Sequence, residues 1–384
     1  MLEKRTYFLP AMCMIGPGVL QDVGAQVKSL GCGKALLVTD AMLVKFGIAK
    51  KLTDVLDAAG VEYVIYDGVI PNPTCAVVNA GLKVLQDNQC DIIVSLGGGS
   101  PQDCAKAISI LAVNGGDIRE YEGVSKSAKK GLPIVAINTT AGTASEVTIN
   151  YVITDEDRHV KMVIIDKNCL ATIAVNDPEL MIAKPAALTA ATGMDALTHA
   201  IEGYTTQGAY CLTDALAFEA IKLISHSLRD AVANGSNLEA RSQMAYGSFV
   251  AGMAFSNCGL GVVHSLAHQL GGTYNLPHGV SNAIMLPHVM RFNASVCAEK
   301  MAQVAVAMGV DISGMSADEG AVAAIDAVEK LSADVGIPSG LAELGVKEDK
   351  LTLMAELALV DPCAPGNPRN MTLEDAVALY KAAM

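Results

Sequence analysis

The sequence predicts an α/β part built on a parallel sheet, followed by an all-α part, on three observations. The chain has 384 residues, which at roughly 150 residues per domain suggests two domains. Short apolar runs alternate with helical patterns in the first half. This alternation ends near residue 183, and the following residues are rich in Ala and Met at helical spacing. We therefore expect domains at 1–183 and 184–384, pressed together with a cleft between them.

Four short apolar runs in the first half are bounded by turn residues and are typical of strands: 35–39, 61–66, 91–96 and 133–137. The patterns between them, at 43–59, 77–89 and 102–113, fit helices packed on a sheet. This order predicts a doubly wound parallel sheet. A hairpin is expected where 151–154 and 162–165 flank the charged turn 155–158. In the second half, helices are predicted over 212–228, 239–255 and 317–331.

Composition limits the classes of function. With 51% apolar and 17% charged residues and a mean hydropathy of +0.37, the chain is globular rather than disordered. A formal charge of −13 argues against nucleic-acid or anionic-membrane partners, so a small-molecule ligand is favoured. The ten cysteines are scattered and are interpreted as reduced thiols. The N-terminus lacks the pattern of a secretion signal, and no run is typical of a membrane span, so we expect a cytoplasmic protein.

A glycine-rich loop follows the apolar run 91–96. Gly97, Gly98 and Gly99 allow close backbone approach, Ser100 is predicted as the helix N-cap, and Pro101 suits the first helical position. Free amides at such a helix start can hold a pyrophosphate, although a tight turn without a ligand is about equally probable from this motif alone. Asp103 is either a first-turn carboxylate that serves the helix or a ribose contact.

A second loop, 138–145, follows another apolar run and is crowded with hydroxyl and small residues. Two such loops at neighbouring strand ends suit a dinucleotide better than one does. Asp40 directly follows the run 35–39. At this position a carboxylate can accept hydrogen bonds from ribose hydroxyls and repel a 2′-phosphate, which favours NAD over NADP. The alternative for Asp40 is an N-cap of the next helix, and it is preferred unless other evidence for a cofactor exists.

A possible metal site lies in the second half. Asp195 and His199 are four residues apart in a predicted helix, so they project from one face. His264 and His268 repeat that spacing, and His278 follows. No Lys, Arg, Asp or Glu occurs among the 49 residues between Arg241 and Arg291, yet four of the seven histidines lie there. Buried imidazoles need partners, so an aspartate with three imidazoles is a credible site for Fe(II) or Zn(II).

Each of these residues has a structural alternative. An Asp/His pair at this spacing is often a surface ion pair, and a single buried histidine is usually hydrogen-bonded in the core. Their joint presence in a charge-poor segment favours the metal. His159, His226 and His288 have no such companions and are interpreted as structural.

Taken together, these runs resemble the iron-dependent (group III) alcohol dehydrogenases over nearly the whole chain. The most specific segments are 97–103 (GGGSPQD), 139–143 (TTAGT), 145–148 (SEVT), 193–202 (GMDALTHAIE), 261–271 (GVVHSLAHQLG) and 277–279 (PHG). The resemblance implies a Rossmann-like N-terminal domain and a helical metal domain, as in dehydroquinate synthase-like folds, with the active site in the cleft.

Carried over by position, the resemblance also implies roles for residues. The metal ligands would be Asp195, His199, His264 and His278, with Fe(II) as the metal and Zn(II) possible, and His268 would belong to the proton path. The contacts to NAD(H) would be Asp40, Asn72, Gly97, Gly98, Gly99, Ser100, Thr139, Thr140, Thr143, Asn150 and Lys161, with Asp103 as a further candidate. The alcohol pocket would be lined by Asn150, Val152, Phe255 and Cys363. A homo-oligomer, at least a dimer, is expected.

The resemblance implies that short neutral alcohols or diols and their aldehydes are interconverted. Lactaldehyde and 1,2-propanediol are favoured, with ethanol or 1,3-propanediol as alternatives. No Lys or Arg occurs in 186–221 or 242–290 to hold an anionic substrate, which weighs against a metal- and NAD-dependent sugar-phosphate cyclase. A non-catalytic sensor of NAD or metal is the alternative from another class.

Overall fold

The computed structural model describes residues 4–158, 160–182 and 184–384, so His159 lies outside the described residues. The chain divides into two compact units. The first contains the residues up to Thr140 together with Ala144–Met181, and the second contains Ala141–Thr143 and Ile182–Met384.

Strands occur in the first unit. They are β1 (Met12–Ile15), β2 (Lys34–Asp40), β3 (Glu62–Val69), β4 (Ile92–Gly97), β5 (Gly123–Val124), β6 (Ile134–Asn138), β7 (Asn150–Asp155), β8 (Val160–Ile165) and β9 (Ile173–Asn176). Six of them form a parallel sheet in the order β1-β9-β6-β4-β2-β3. The other three form a small sheet, in which β7 and β8 are antiparallel. The predicted parallel sheet and the predicted hairpin are therefore confirmed.

Both faces of the large sheet are covered. Leu36 and Val38 of β2 pack in one apolar cluster, whereas Ala35 and Leu37 pack in another, as the alternation of side chains along a strand requires. The covering helices are α1 (Val23–Ser29), α2 (Ala41–Lys45), α3 (Ile48–Ala59), α4 (Cys75–Asp87) and α5 (Gly99–Asn114). Short 3-10 helices are Val19–Asp22, Ile118–Tyr121, Ser145–Val147, Lys167–Cys169 and Pro178–Met181.

Two local predictions were wrong. A single helix was expected over 43–59, but the chain breaks between α2 and α3 at Gly47, whose φ of 76° lies in the left-handed region that glycine adopts at little cost. Ser100 was expected to cap the next helix, but α5 begins two residues earlier than predicted, at Gly99, with Gly98 as its N-cap residue. Ser100 and Pro101 therefore lie in the first turn, where proline is tolerated because the amides there have no intrahelical partner.

The second unit is helical, as predicted. Its helices are α6 (Ala186–Thr205), α7 (Cys211–Ala233), α8 (Leu238–Cys258), α9 (Val262–Tyr274), α10 (His278–Ala307), α11 (Ala317–Asp334), α12 (Leu351–Leu359) and α13 (Leu373–Ala382), with 3-10 turns at Leu341–Leu344, Glu348–Lys350 and Ala364–Gly366. In the part of the chain that the structure describes, no strand follows β9. No single described helix is both long and apolar enough to cross a membrane, and only α8 and α9, bent by 102°, meet that test as a pair.

A buried carboxylate ties the hairpin to the rest of the first unit. Asp155, at the end of β7, is fully buried and accepts hydrogen bonds from Nε of Arg119 at 3.0 Å and from Nε of Arg158 at 2.5 Å. The bond from Arg119 holds the pKa of Asp155 below its ordinary value. Arg119 also reaches Asp157, whose side chain is 79% exposed.

We expect Asp155→Asn to lower the free energy of unfolding at pH 7 by about 1–3 kcal/mol, because charged hydrogen bonds to a buried acceptor are weakened. Asp157→Asn is the control and should change it by less than about 0.5 kcal/mol, since its ion pair is exposed. The pKa of Asp155 is lower in the folded state, so its contribution is present above the unfolded value of about 3.9 and is lost as the pH falls below it. Urea titrations at pH 7 and pH 3 measure both effects; equal stabilities of wild type and Asp155→Asn at pH 7 would contradict the prediction.

Candidate metal centre and dinucleotide loops

Helix α6 carries an acidic and a basic side chain into the interior of the second unit. Asp195 and His199 lie one turn apart and are 2% and 5% exposed. The helix can be buried this deeply because its surface is small and apolar; a Cβ at Gly193 would lie 2.3 Å from Leu228 of α7. Polar groups in such surroundings need partners of their own.

Two more helices bring their histidines to the same point. His264 lies in the first turn of α9, and His278 is the first residue of α10, directly after Pro277. One ligand atom from each of these two histidines, from Asp195 and from His199 lies within 4.8 Å of every other. The four side chains predicted as metal ligands are therefore together in space, although their role as ligands stays a prediction.

A buried glutamate orients one of these rings. Glu202, one turn beyond His199 on α6, accepts a hydrogen bond from the backbone amide of Val263 at 2.7 Å through Oε1 and lies 2.5 Å from Nδ1 of His264 through Oε2. Nδ2 of Asn282 is a donor that lies 3.2 Å from Nε2 of His264, so Nε2 is the accepting nitrogen on the side of the cluster and Nδ1 carries the ring proton towards Glu202. Burial raises the pKa of Glu202 to about 8 and lowers that of His264 well below its ordinary value.

Oxygen and nitrogen atoms that can act as acceptors converge in this cluster, and a cation would satisfy their lone pairs. Nδ2 of Asn282 lies 2.7 Å from Asp195 Oδ1, 3.2 Å from His264 Nε2 and 3.1 Å from His278 Nε2, and it has only two hydrogens for these three neighbouring atoms. Nε2 of His199 lies 2.9 Å from Nε2 of His264.

The protonation states also fit a metal. Burial lowers the pKa of His199 to about 3, so its ring is neutral, as a ligand must be. Its buried Nδ1 has no hydrogen-bond partner among the described residues and lies 3.9 Å from Asp195. Three imidazole nitrogens and one carboxylate suit Fe(II) or Zn(II). The residues present therefore fit the predicted metal.

Three further residues surround the cluster. Phe255 of α8 stacks on His199, with ring centroids 4.3 Å apart. His268 of α9 stacks on His278 at 5.4 Å, and its Nδ1 lies 2.8 Å from Oδ2 of Asp361. Asp361 also accepts a hydrogen bond from the backbone amide of Cys363 at 2.9 Å. Phe255 and Cys363, which were predicted to line the alcohol pocket, thus lie next to the predicted ligands or to His268.

The glycine-rich loop of the first unit is closely packed. A Cβ at Gly97 would lie 2.4 Å from Pro101, and a Cβ at Gly98 would lie 2.9 Å from Thr140 of the second loop. Side chains are therefore excluded at both positions, and the two predicted dinucleotide loops are in contact. Gly99 and Ser100 form the first residues of α5, and Thr139 continues the pairing of β6 with β4 through the carbonyl of Gly97.

Other residues that were predicted to contact the dinucleotide form hydrogen bonds within the protein. Oδ1 of Asp40 caps α2 by accepting from the amides of Met42 and Leu43, both at 2.9 Å. This is the structural alternative for Asp40, and it leaves the second oxygen for a ribose. Nζ of Lys161 donates to Oδ1 of Asn72 at 2.8 Å, so these two predicted contacts lie side by side.

The carboxylate of Asp103 accepts from the hydroxyl of Ser145 at 2.7 Å and from the amide of Val152 at 3.0 Å. These contacts favour a structural role for Asp103 over a ribose contact, because the side chain links α5 to the 3-10 helix Ser145–Val147 and to β7. Oδ1 of Asn150 is buried without a hydrogen-bond partner among the described residues. Thr143 belongs to the second unit, whereas Asn150 and Val152 belong to the first.

Sequence reasoning did not assign a role to Glu202, Asn282 or Asp361. Two of them had a usable signal, since Glu202 lies three residues after His199 and Asn282 four after His278, which are the spacings of neighbours on one helix face. Asp361 is 93 residues from His268 and could be found only from the fold.

Comparison with known proteins identifies the family. Residues 10–178 match the family described as "Iron-containing alcohol dehydrogenase", and residues 189–384 match "Fe-containing alcohol dehydrogenase family, C-terminal". The lactaldehyde reductase of Escherichia coli (strain K12) is 52% identical over 370 residues, covering 96% of each chain. The 1,3-propanediol dehydrogenase of Klebsiella pneumoniae is 51% identical over 379 residues, covering 98% of each.

Solved structures agree with these matches. A crystal structure of a 1,3-propanediol oxidoreductase superposes with a TM-score of 0.98 at 50% identity and covers both chains completely. A sulfoacetaldehyde reductase from Bifidobacterium kashiwanohense, solved with NAD+, has a TM-score of 0.88 at 30% identity, covering 100% of this chain and 99% of that one. The predicted family and fold class are confirmed. The chain belongs to the iron-containing alcohol dehydrogenase family and is an oxidoreductase that acts on CH–OH groups.

Proposed function

We propose that this protein uses NAD(H) and Fe(II), with Zn(II) as a possible substitute, to interconvert short neutral alcohols or diols and their aldehydes. The observation that carries the proposal is the buried, acceptor-rich cluster of Asp195, His199, His264 and His278, whose ligand atoms lie within 4.8 Å of one another. Lactaldehyde and 1,2-propanediol are the favoured pair, with 1,3-propanediol and ethanol as alternatives, in line with the names of the two relatives.

When bound by Asp195, His199, His264 and His278, divalent iron would supply Lewis acidity for negative charge on the substrate oxygen, and the nicotinamide of NAD(H) would supply the hydride. The protein residues do the rest. Glu202 fixes the tautomer of His264, and Phe255 packs on His199 and keeps that ring oriented.

His268 and Asp361 handle the proton in this proposal. Burial by itself would raise the pKa of Asp361, but the charge of His268 and the hydrogen bonds around the carboxylate hold it below its ordinary value. An ionised Asp361 keeps the proton of His268 on Nδ1, so Nε2 is the nitrogen that accepts or releases a proton.

The charge distribution supports a neutral substrate. Arg241, the buried arginine of the second unit, is engaged by the hydroxyl of Thr189 at 2.8 Å and by the carbonyls of Gly235 and Lys184. No Lys or Arg follows until Arg291. A cyclase acting on a sugar phosphate would need a cation to hold its substrate.

The test is anaerobic reconstitution with Fe(II) or Zn(II), followed by NADH oxidation with lactaldehyde, 3-hydroxypropanal and acetaldehyde. We expect turnover with at least one aldehyde, the highest kcat/KM for lactaldehyde, and none without metal. Failure of metal-loaded protein to oxidise NADH with all three would contradict the proposal, and a preference for 3-hydroxypropanal would move the substrate to the 1,3-diol branch.

The preference for NAD gives a separate prediction. In Asp40→Asn, the amide oxygen still caps α2, but the charge that repels a 2′-phosphate is lost. We expect kcat/KM for NADPH to rise by about tenfold or more, while that for NADH falls by less than about tenfold. Steady-state kinetics with both cofactors measure this, and Asp22→Asn, an exposed carboxylate at the start of α1, is the control. Unchanged use of NADPH would show that Asp40 does not face the ribose.

We also propose a homo-oligomer, at least a dimer, in the cytoplasm. The oligomer rests on the family resemblance, and light scattering of the purified protein tests it. The location is supported by the ten free thiols in the structure, which suit a reducing compartment.

A further inference from the structure

A second buried glutamate lies in the first unit. Glu146 belongs to the 3-10 helix Ser145–Val147 and is 0% exposed. Its Oε1 accepts a hydrogen bond from Nδ2 of Asn138 at 3.1 Å. Burial raises the pKa of Glu146 to about 7. Burying a carboxyl group this completely costs free energy, which its hydrogen bond with Asn138 partly offsets.

Asn138 links Glu146 to the second dinucleotide loop. It is the last residue of β6 and is 1% exposed. Its Nδ2 also donates to the carbonyl of Thr140 at 2.7 Å, and its Oδ1 accepts from the amide of Thr140 at 3.0 Å and from its hydroxyl at 3.3 Å. One side chain thus holds both backbone groups and the hydroxyl of Thr140. Glu146 accepts the second hydrogen of the same Nδ2, so its loss would leave a buried N–H group unpaired next to the bonds that hold Thr140.

Thr140 in turn meets the glycine-rich loop. Its Oγ1 and Cγ2 lie 2.9 Å from where a Cβ of Gly98 would be, so the two loops are in close contact. Ser145, next to Glu146, is held to α5 through Lys106 at 2.9 Å and Asp103 at 2.7 Å. Contacts with α5 therefore fix the segment that carries Glu146. From this segment Glu146 binds Asn138, which in turn binds Thr140 of the second dinucleotide loop.

We propose that Glu146 and Asn138 are positioning residues that hold Thr140 and the adjacent loop in the conformation that binds the dinucleotide. This inference rests on the proposed use of NAD(H). It predicts an effect on cofactor affinity rather than on the chemical step, because the hydrogen bonds of Asn138 join Glu146 to Thr140 of the second dinucleotide loop.

The experiment measures the Kd for NADH by fluorescence titration, together with KM and kcat, for the iron-loaded wild type, Glu146→Ala, Glu146→Gln and Asn138→Ala. Glu146→Gln keeps an oxygen acceptor for Asn138 and should bind NADH within about threefold of wild type. Glu146→Ala and Asn138→Ala should each raise Kd and the KM for NADH by tenfold or more, while kcat and the KM for the aldehyde stay within about threefold. The double variant should be no worse than either single one, since both act through the same bonds.

Ser109→Ala is the matched control. Ser109 is a fully buried polar residue of α5 whose hydroxyl donates to the carbonyl of Leu132 rather than to a group of either loop. It should lower the melting temperature without changing the Kd for NADH. Should Glu146→Ala not fold, Asn138→Ala and Glu146→Gln provide the same comparison.

The inference is overturned if folded Glu146→Ala or Asn138→Ala binds NADH as tightly as wild type. It is also overturned if Kd, kcat and the aldehyde KM all deteriorate together, which is the result expected of a general structural defect. A wild type that binds no NADH would instead remove the proposed function itself.

Discussion

His278→Ala is expected to lower kcat/KM for the aldehyde by at least about 1,000-fold, equivalent to about 4 kcal/mol of transition-state stabilisation. His278 is the first residue of α10, and its Nε2 lies 3.1 Å from Nδ2 of Asn282 and 3.5 Å from Oδ1 of Asp195. Its side chain is 26% exposed, more than those of the other three predicted ligands. Its removal should therefore disturb packing less than loss of His199 or His264.

The measurement has two parts. Elemental analysis after anaerobic loading should give about one iron per wild-type chain and much less for His278→Ala, and NADH oxidation should fall in parallel. His226→Ala is the matched control, because His226 is an exposed histidine of α7 whose Nδ1 contacts groups of its own turn, the carbonyl of Lys222 at 2.7 Å and the hydroxyl of Ser225 at 3.4 Å. A His278→Ala protein that retained one iron and activity within tenfold of wild type would refute the predicted ligand set.

His268→Ala should lower kcat by about 100-fold or more, the usual contribution of a positioned acid or base. Asp361→Asn should cost about 10- to 100-fold, because an asparagine amide that donates to Nδ1 would move the ring proton to Nε2, the nitrogen assigned to proton transfer. Both residues are buried, and the 2.8 Å contact between them is the only link the prediction needs.

A double-mutant cycle separates this mechanism from simple destabilisation. If Asp361 acts through His268, Asp361→Asn should have little further effect in a His268→Ala background. Glu356→Gln, which changes an exposed carboxylate on α12, serves as the control and should leave kcat unchanged. Full turnover in His268→Ala would rule out a role of His268 in proton transfer. Additive losses of kcat in the double variant would show that Asp361 does not act through His268.

Most of the architecture could be predicted from local sequence patterns. The four strands β2, β3, β4 and β6 are apolar runs closed by turn residues, and such runs in alternation with helices specify a parallel sheet covered on both faces. The strands β1 and β9 were missed because four residues are too few to show a period. Their place in the sheet is set by pairing with distant strands: β9 pairs with β6, and β1 pairs with β9.

The candidate site shows the same division more sharply. The spacing of Asp195 and His199 predicts two groups on one helix face, and this is a local property of the chain. His264 and His268 have the same spacing, yet one of them faces the cluster while the other is bound by Asp361. The sequence leaves that choice open, because the partners of the two rings come from other helices.

The sequence by itself determined the alternation of central strands and helices, the loops at the strand ends and the set of candidate ligands, since these depend on neighbours a few residues apart. Only the tertiary structure decided which rings converge, where Glu202 and Asp361 stand, and how Glu146 reaches Thr140. Those contacts join helices and loops whose side chains meet only after the apolar faces have packed, so each is set by burial across the fold rather than by the residues on either side.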